Sequence, residues 1–174
     1  IKSYLGDRSI LLGTFSKIVT PSFRLGWICA RKDIMDKLVI AKQASDLHTN
    51  YFAQRVIYQF LTDHDIEQHI QTILKAYKYQ RDIMVEQMNA LFPPNVEWTN
   101  PEGGMFVWAS LPYGLSTMKL VELAIEKKVA FVPGFPFYVD GDGGNSMRLN
   151  FSNVDAERIE EGIYRLSESI NSMV

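Results

Sequence analysis

Lys17 and Arg24 share one loop, G-T-F-S-K-I-V-T-P-S-F-R-L-G-W, Gly13–Trp27, with hydroxyls at Thr14, Ser16, Thr20 and Ser22. An amine can add to an aldehyde to form a Schiff base, and an arginine with neighbouring hydroxyls can hold a phosphate. The loop follows the apolar run Ser9–Leu12 and leads into Leu25–Ala30. Two β-type runs joined by hydroxyls, Gly and Pro are how a mixed α/β protein presents side chains at a sheet edge. A lone Lys in a polar loop is usually only solvated, and S-x-K or P-x-x-R occur by chance, so the spacing alone does not assign a role. A second cation, Arg148, lies in M-R-L-N-F, where Met147, Leu149 and Phe151 alternate with it. An Arg on an otherwise apolar strand needs an anion, supplied by a protein acid or by a ligand.

One small molecule asks for both groups of the first loop: pyridoxal 5′-phosphate (PLP). The stretch closely resembles the cofactor-lysine segment of the fold-type I, class I/II PLP-dependent aminotransferases, often S/T-F-S-K followed by P-G-x-R-L-G-W. The likeness continues through E-G-G-M-F-V-W at Glu102–Trp108, V-P-G at Val132–Gly134 and M-R-L-N-F-S at Met147–Ser152, so it covers nearly the whole chain in the family's order. By that resemblance Lys17 would be the catalytic lysine that bonds the cofactor. Thr14, Ser16 and Arg24 would anchor the cofactor phosphate, and Arg148 would grip the substrate α-carboxylate in a bidentate fork. Phe135 and Phe137 would line the wall near the substrate. Ser22 stands where the family often has Gly; if that position needs φ > 0, Ser would cost ~1 kcal/mol of strain.

The resemblance implies a PLP-dependent aminotransferase that moves an amino group between an L-amino acid and a 2-oxo acid, as a cytoplasmic homodimer. It also implies a chain of about four hundred residues, with the lysine past the midpoint. The present 174 residues begin without Met on the run-up to a strand, and so read as the C-terminal part of a longer protein. The family's ring-binding Asp, Tyr and stacking aromatic lie upstream of the lysine, so the isolated piece is expected neither to transaminate nor to hold PLP well. Two other readings share the scaffold. One is the ligand-sensing domain of a MocR-type winged-helix regulator. The other is a different PLP reaction, such as C–S lysis or decarboxylation.

Composition agrees with a folded protein: 47% hydrophobic and 22% charged residues are ordinary globular values. A net charge of −2 with mixed signs gives no electrostatic case for nucleic acid. Cys29 is the single cysteine; it cannot pair internally, which suggests a reducing compartment and a buried small side chain. No apolar run approaches the ~20 residues of a membrane span, and Ile1–Leu5 lacks the core of a signal peptide.

The fold expected is α/β and α+β, the C-terminal part of the PLP-dependent transferase fold. Residues 1–62 would be the end of a large cofactor-binding domain, 63–92 a long interdomain helix, and 93–174 a small α+β domain. Strands are expected at Ile10–Gly13 and Leu25–Ala30, then a helix over Arg31–Ser45 with apolar Ile34, Leu38, Ala41 and Ala44 mostly at helical spacing. The loop Ser45–Tyr51 falls where the family approaches its dimer partner, which makes His48, Thr49, Asn50 and Tyr51 candidates. A helix from Tyr51, ending near Thr62-Asp63, would place Phe52, Val56, Phe60 and Leu61 on one face. The long helix carries Ile66, Ile70, Ile73, Leu74, Tyr77, Met84, Met88 and Leu91, with Asp63 or Asp65 as cap, Pro93-Pro94 as stop, and Lys75, Lys78 and Arg81 on a solvated face. Beyond it, strands at Val96–Trp98, Met105–Leu111, Val129–Val132 and Ser146–Phe151, with helices at Lys119–Lys127 and Asp155–Met173, would form a small mixed sheet with helices on one side.

No metal site is expected. His64 and His69 stand five apart, and positions i and i+5 of a helix do not share a face. The loop Asp140–Asn145 opens like a calcium loop but has Phe151 where a bidentate acid is needed, so a tight turn explains it. The glycines at 103–104 and 141–144 fit neither a dinucleotide nor a P-loop fingerprint.

Overall fold

The computed structural model describes residues 6–173, so the expectation for Ile1–Leu5 lies outside the described residues. The chain divides into two compact units, Ile1–Ile73 and Leu74–Val174.

In the first unit, strands β1 (Leu11–Thr14) and β2 (Gly26–Cys29) pair antiparallel, Leu11 opposite Cys29 and Thr14 opposite Gly26. The pairing is tight because Gly13 has no side chain: a Cβ there would lie 2.1 Å from the Trp27 indole. Helices α1 (Lys32–Ser45), α2 (Tyr51–Asp63) and α3 (Ile66–Leu91) follow. Asn50 caps α2 by accepting from the Ala53 amide, and Asp65 starts α3 by accepting from the Glu67 and Gln68 amides. The unit's small core is Leu25, Ala53 and Ile57, with Phe15, Val19 and Phe23 packed against it.

Burial in this unit does not follow apolar spacing alone, and the buried role expected of Cys29 fails. The buried face of α2 is Ala53 and Ile57, whereas Phe52 is 73% exposed. Small Ala53 lets the helix approach Leu25, and side-chain size, not apolar periodicity alone, chooses the face. Helix α1 buries no residue, and Ala41 and Ala44 are exposed. Cys29 is exposed as well, because every position of β2 is.

The second unit holds a four-stranded sheet in the order β3-β4-β6-β5: β3 (Glu97–Trp98), β4 (Phe106–Ser110), β5 (Val132–Pro133) and β6 (Ser146–Asn150). All three pairings are antiparallel, which corrects the mixed sheet. No crossover helix separates β5 from β6; the 3-10 turn Phe135–Phe137 and a glycine loop bring the chain straight back. Strand β5 also begins later than the apolar run Val129–Val132 suggests. The Lys128 and Val129 amides close the end of helix α4 (Thr117–Glu126) onto Ile125 and Ala124, with Lys128 at φ 62°, so this backbone is already used.

One face of the sheet, with Val107, Ala109, Met147 and Leu149, packs against α3, α4 and the closing helix α5 (Ala156–Asn171). Helix α5 contributes Ile159, Ile163, Leu166 and Ile170, the stripe its periodicity gives, and Asp155 caps it through the Arg158 amide. Met88 of α3 is completely buried in this core. Met88→Ala is therefore expected to cost ~2–5 kcal/mol, read as a lower urea midpoint with an unchanged slope.

Arg81 departs from the solvated face expected for it. It donates to the Pro101 carbonyl at 2.8 Å and to Asp82, and its side chain is only 21% exposed. Lys78, then Arg81, hold the Asp82 carboxyl below its ordinary value, a contribution lost as pH falls through that lowered value.

Candidate functional site

The Lys17 loop is closed at its base. The Phe15 amide and the Thr14 hydroxyl both donate to the Leu25 carbonyl, at 3.1 and 3.3 Å, and the Ser16 amide donates to Thr14 Oγ1 at 3.1 Å. The Val19 and Thr20 amides then turn back onto the Phe15 carbonyl. Phe15, Val19 and Phe23 point to the small core, which leaves Lys17 exposed with no hydrogen bond or ion pair among the described residues.

Arg24 is also exposed, and among the described residues its guanidinium meets only the Pro21 carbonyl, at 3.3 Å. It is Arg24, not Ser22, that adopts the left-handed conformation, at φ 53°. The strain of ~1 kcal/mol or more therefore falls on the cation itself.

Arg24 and Ser22 line an open cleft of about 490 Å³ with Lys42, Asp46, His48 and Asn50. The structure thus brings the 45–51 loop to Arg24. Within it Asn50 is used as the α2 cap, Lys42 is paired with Asp46, and His48 Nδ1 donates to the Thr49 carbonyl. Tyr51 is largely exposed.

Arg148 belongs to the second unit. It lies on β6 opposite Trp108 of β4 and Val132 of β5, on the sheet face away from the helices. Its guanidinium carbon stands 4.1 Å from the centre of the Phe106 ring and 4.8 Å from that of Phe137. Phe137 meets Trp108 edge to face at 5.5 Å, and Phe135 is half exposed. Gly134 allows this turn to lie against β6, since a Cβ would meet the Ser146 hydroxyl oxygen at 2.1 Å. Arg148 has no acid partner among the described residues, and its Nε is buried without any hydrogen bond. The aromatic rings hold the guanidinium by cation–π contact and leave its charge uncompensated. Sequence reasoning did not identify Phe106 as a partner of Arg148, although its position two residues before Trp108 places it on the same face.

The two histidines do not share a helix: His64 ends α2, and His69 lies on α3. Both rings lie against Phe60, with centroids at 5.0 and 5.7 Å. His69 Nε2 is 2.8 Å from the Ile18 carbonyl oxygen. Among the described residues no group of three His, Cys, Asp or Glu could hold a metal ion, and no helix is long and apolar enough to cross a membrane.

This architecture is that of the PLP-dependent aminotransferases. A kynurenine aminotransferase from Pyrococcus horikoshii, solved with PMP and with kynurenine substrate and product, superposes with a TM-score of 0.92 and 48% identity over 97% of this chain and 42% of its own. The aminotransferase class I and II family model matches residues 4–166, and the chain belongs to that family. It is 48% identical over 163 residues to aromatic-amino-acid aminotransferase 1 of Thermococcus litoralis, covering 94% of this chain and 39% of that protein. It is also 31% identical over 169 residues to the HTH-type transcriptional regulator NorG of Staphylococcus aureus, covering 95% of this chain and 37% of the regulator. The chain thus spans about two fifths of the length of these relatives.

Proposed function

We propose that the full-length protein carrying this chain is a PLP-dependent aminotransferase, acting on an L-amino acid and a 2-oxo acid as a cytoplasmic homodimer. The observation that carries the reading is a pair of unsatisfied cations. Among the described residues, Arg24 presents a guanidinium with no acid partner on a strained backbone, and Arg148 keeps a buried Nε without a hydrogen bond.

The residues present fit the cofactor. Arg24 and the Ser16 hydroxyl would hold its phosphate, with Thr14 joining by giving up its long bond to Leu25. Lys17, without a partner among the described residues, would supply the amine for the aldehyde. When bound, PLP supplies the electron sink that makes the substrate Cα proton acidic. The chain's own groups do the rest. Arg148, fixed between Phe106 and Phe137, would take the substrate α-carboxylate through two parallel N–H bonds and so orient Cα. Lys17, once free, would lift the Cα proton as general base and return it as general acid.

Residues 1–62 are read as the end of the large domain, 63–92 as the interdomain helix and 93–174 as the small domain. The division of the chain inside α3, at Ile73, supports a linking role for that helix. The likeness to NorG favours one second reading, in which this chain would sense an effector for an attached DNA-binding domain.

Product analysis separates the two. The full-length protein is expected to convert an amino acid and a 2-oxo acid into a new pair, and the isolated 174-residue chain to release neither product. Effector binding without turnover would favour the sensor, whereas ammonia with pyruvate would identify a lyase. Turnover by the isolated chain would contradict the need for groups outside it.

A further inference from the structure

Lys17 has no partner of its own among the described residues, so the place of its amine is set by the backbone of its loop. Before the lysine, that backbone is fastened to Leu25 through Thr14 and Phe15. After it, the turn bonds of Val19 and Thr20 run only to Phe15, inside the loop itself. Among the described residues, one hydrogen bond ties loop residues 15–24 to a helix. It joins His69 on α3 to the carbonyl of Ile18, the residue next to Lys17, at 2.8 Å and across 51 positions of sequence.

A carbonyl oxygen only accepts, so His69 Nε2 carries the proton and donates. The ring is steadied by Phe60, which meets it edge to face at 5.7 Å, and the bond is partly buried. A cleft of about 270 Å³ lined by Phe60, His64, Gln68 and His69 opens beside it. Water can therefore replace the donor if His69 is changed, and the loop would loosen rather than collapse.

We propose that His69 is a positioning residue for Lys17: its bond to the Ile18 carbonyl holds the loop in the one conformation that presents the amine. The inference rests on the reading of Lys17 as the cofactor lysine. It gives a role to a histidine that the sequence offers only as a failed metal ligand. An imidazole suits the task, since it is rigid and donates from its far nitrogen. Glutamine can place an amide N–H at a similar reach, whereas leucine and asparagine cannot.

The test compares the full-length protein with His69→Leu, His69→Asn and His69→Gln. Asparagine keeps a polar side chain too short for Ile18, which covers the case in which leucine impairs folding. Amide hydrogen exchange over Phe15–Thr20 is followed without cofactor. The rate at which added PLP bonds to Lys17 is then followed by absorbance and fixed by borohydride reduction. Leucine or asparagine is expected to speed exchange in this segment about three- to tenfold, the size of one ordinary hydrogen bond, and to slow addition to Lys17 by a similar factor. Glutamine is expected to restore both. Unchanged exchange with leucine and asparagine, or glutamine behaving no better than either, would overturn the proposal while leaving Lys17 labelled. No label on Lys17 in the unsubstituted protein would overturn the cofactor reading, and this proposal with it.

Discussion

Alanine at Lys17 is expected to lower amino transfer by the full-length protein by at least ~10²–10⁴-fold, the usual worth of a positioned proton-transfer group. Lys17 is exposed and has no side-chain partner among the described residues. Its removal therefore breaks no structural contact, and the loss reads chemistry. On the proposed reading Ser16 and Arg24 would still hold the cofactor phosphate, so the variant should still bind the cofactor, though without a covalent bond. Arginine in place of Lys17 should be as inactive as alanine, because a guanidinium keeps the charge but cannot give up its proton. A variant as active as the parent would remove Lys17 from the chemistry.

Arg148→Lys is expected to cost nearly as much, and through a different quantity. Each charge-assisted hydrogen bond contributes ~1.5–3 kcal/mol, so losing a two-bond fork predicts a fall of ~10²–10⁴-fold in kcat/KM for amino acids. Lysine keeps the positive charge but neither the fork nor the flat contact with Phe106 and Phe137. An amine substrate without a carboxylate should be almost unaffected. Equal losses for both substrate types would show instead that Arg148 supports the sheet.

Much of this site is legible in the sequence, and the parts that are not share a cause. The extent of α3 and the Ile159-Ile163-Leu166-Ile170 stripe of α5 follow local periodicity, although of the α3 stripe only Met84 and Met88 are buried. The alternation Met147-Arg148-Leu149 likewise turns Arg148 away from the helices, a consequence of strand pleating alone. What escapes is set by partners distant in the chain. Cys29 looks buried because its neighbours are apolar, yet the whole of β2 is exposed. Phe52 and Ala53 are both apolar, and only the close approach to Leu25 decides that Ala53 goes inward. The strain assigned to Ser22 by comparison with glycine falls on Arg24, since the turn's φ angles depend on how the Pro21 carbonyl is bonded. The bond from His69 to Ile18 has no local signature.

The central claim is that Lys17 bonds the cofactor, and one measurement addresses it most directly. The full-length protein is loaded with PLP, its absorbance recorded, and the adduct fixed by borohydride reduction before peptide mapping. The account predicts an absorbance band of lysine-bound cofactor and a modified peptide containing Lys17, both lost in Lys17→Ala. Absence of the band together with an unmodified Lys17 would contradict it, and would mean that the scaffold persists without the chemistry.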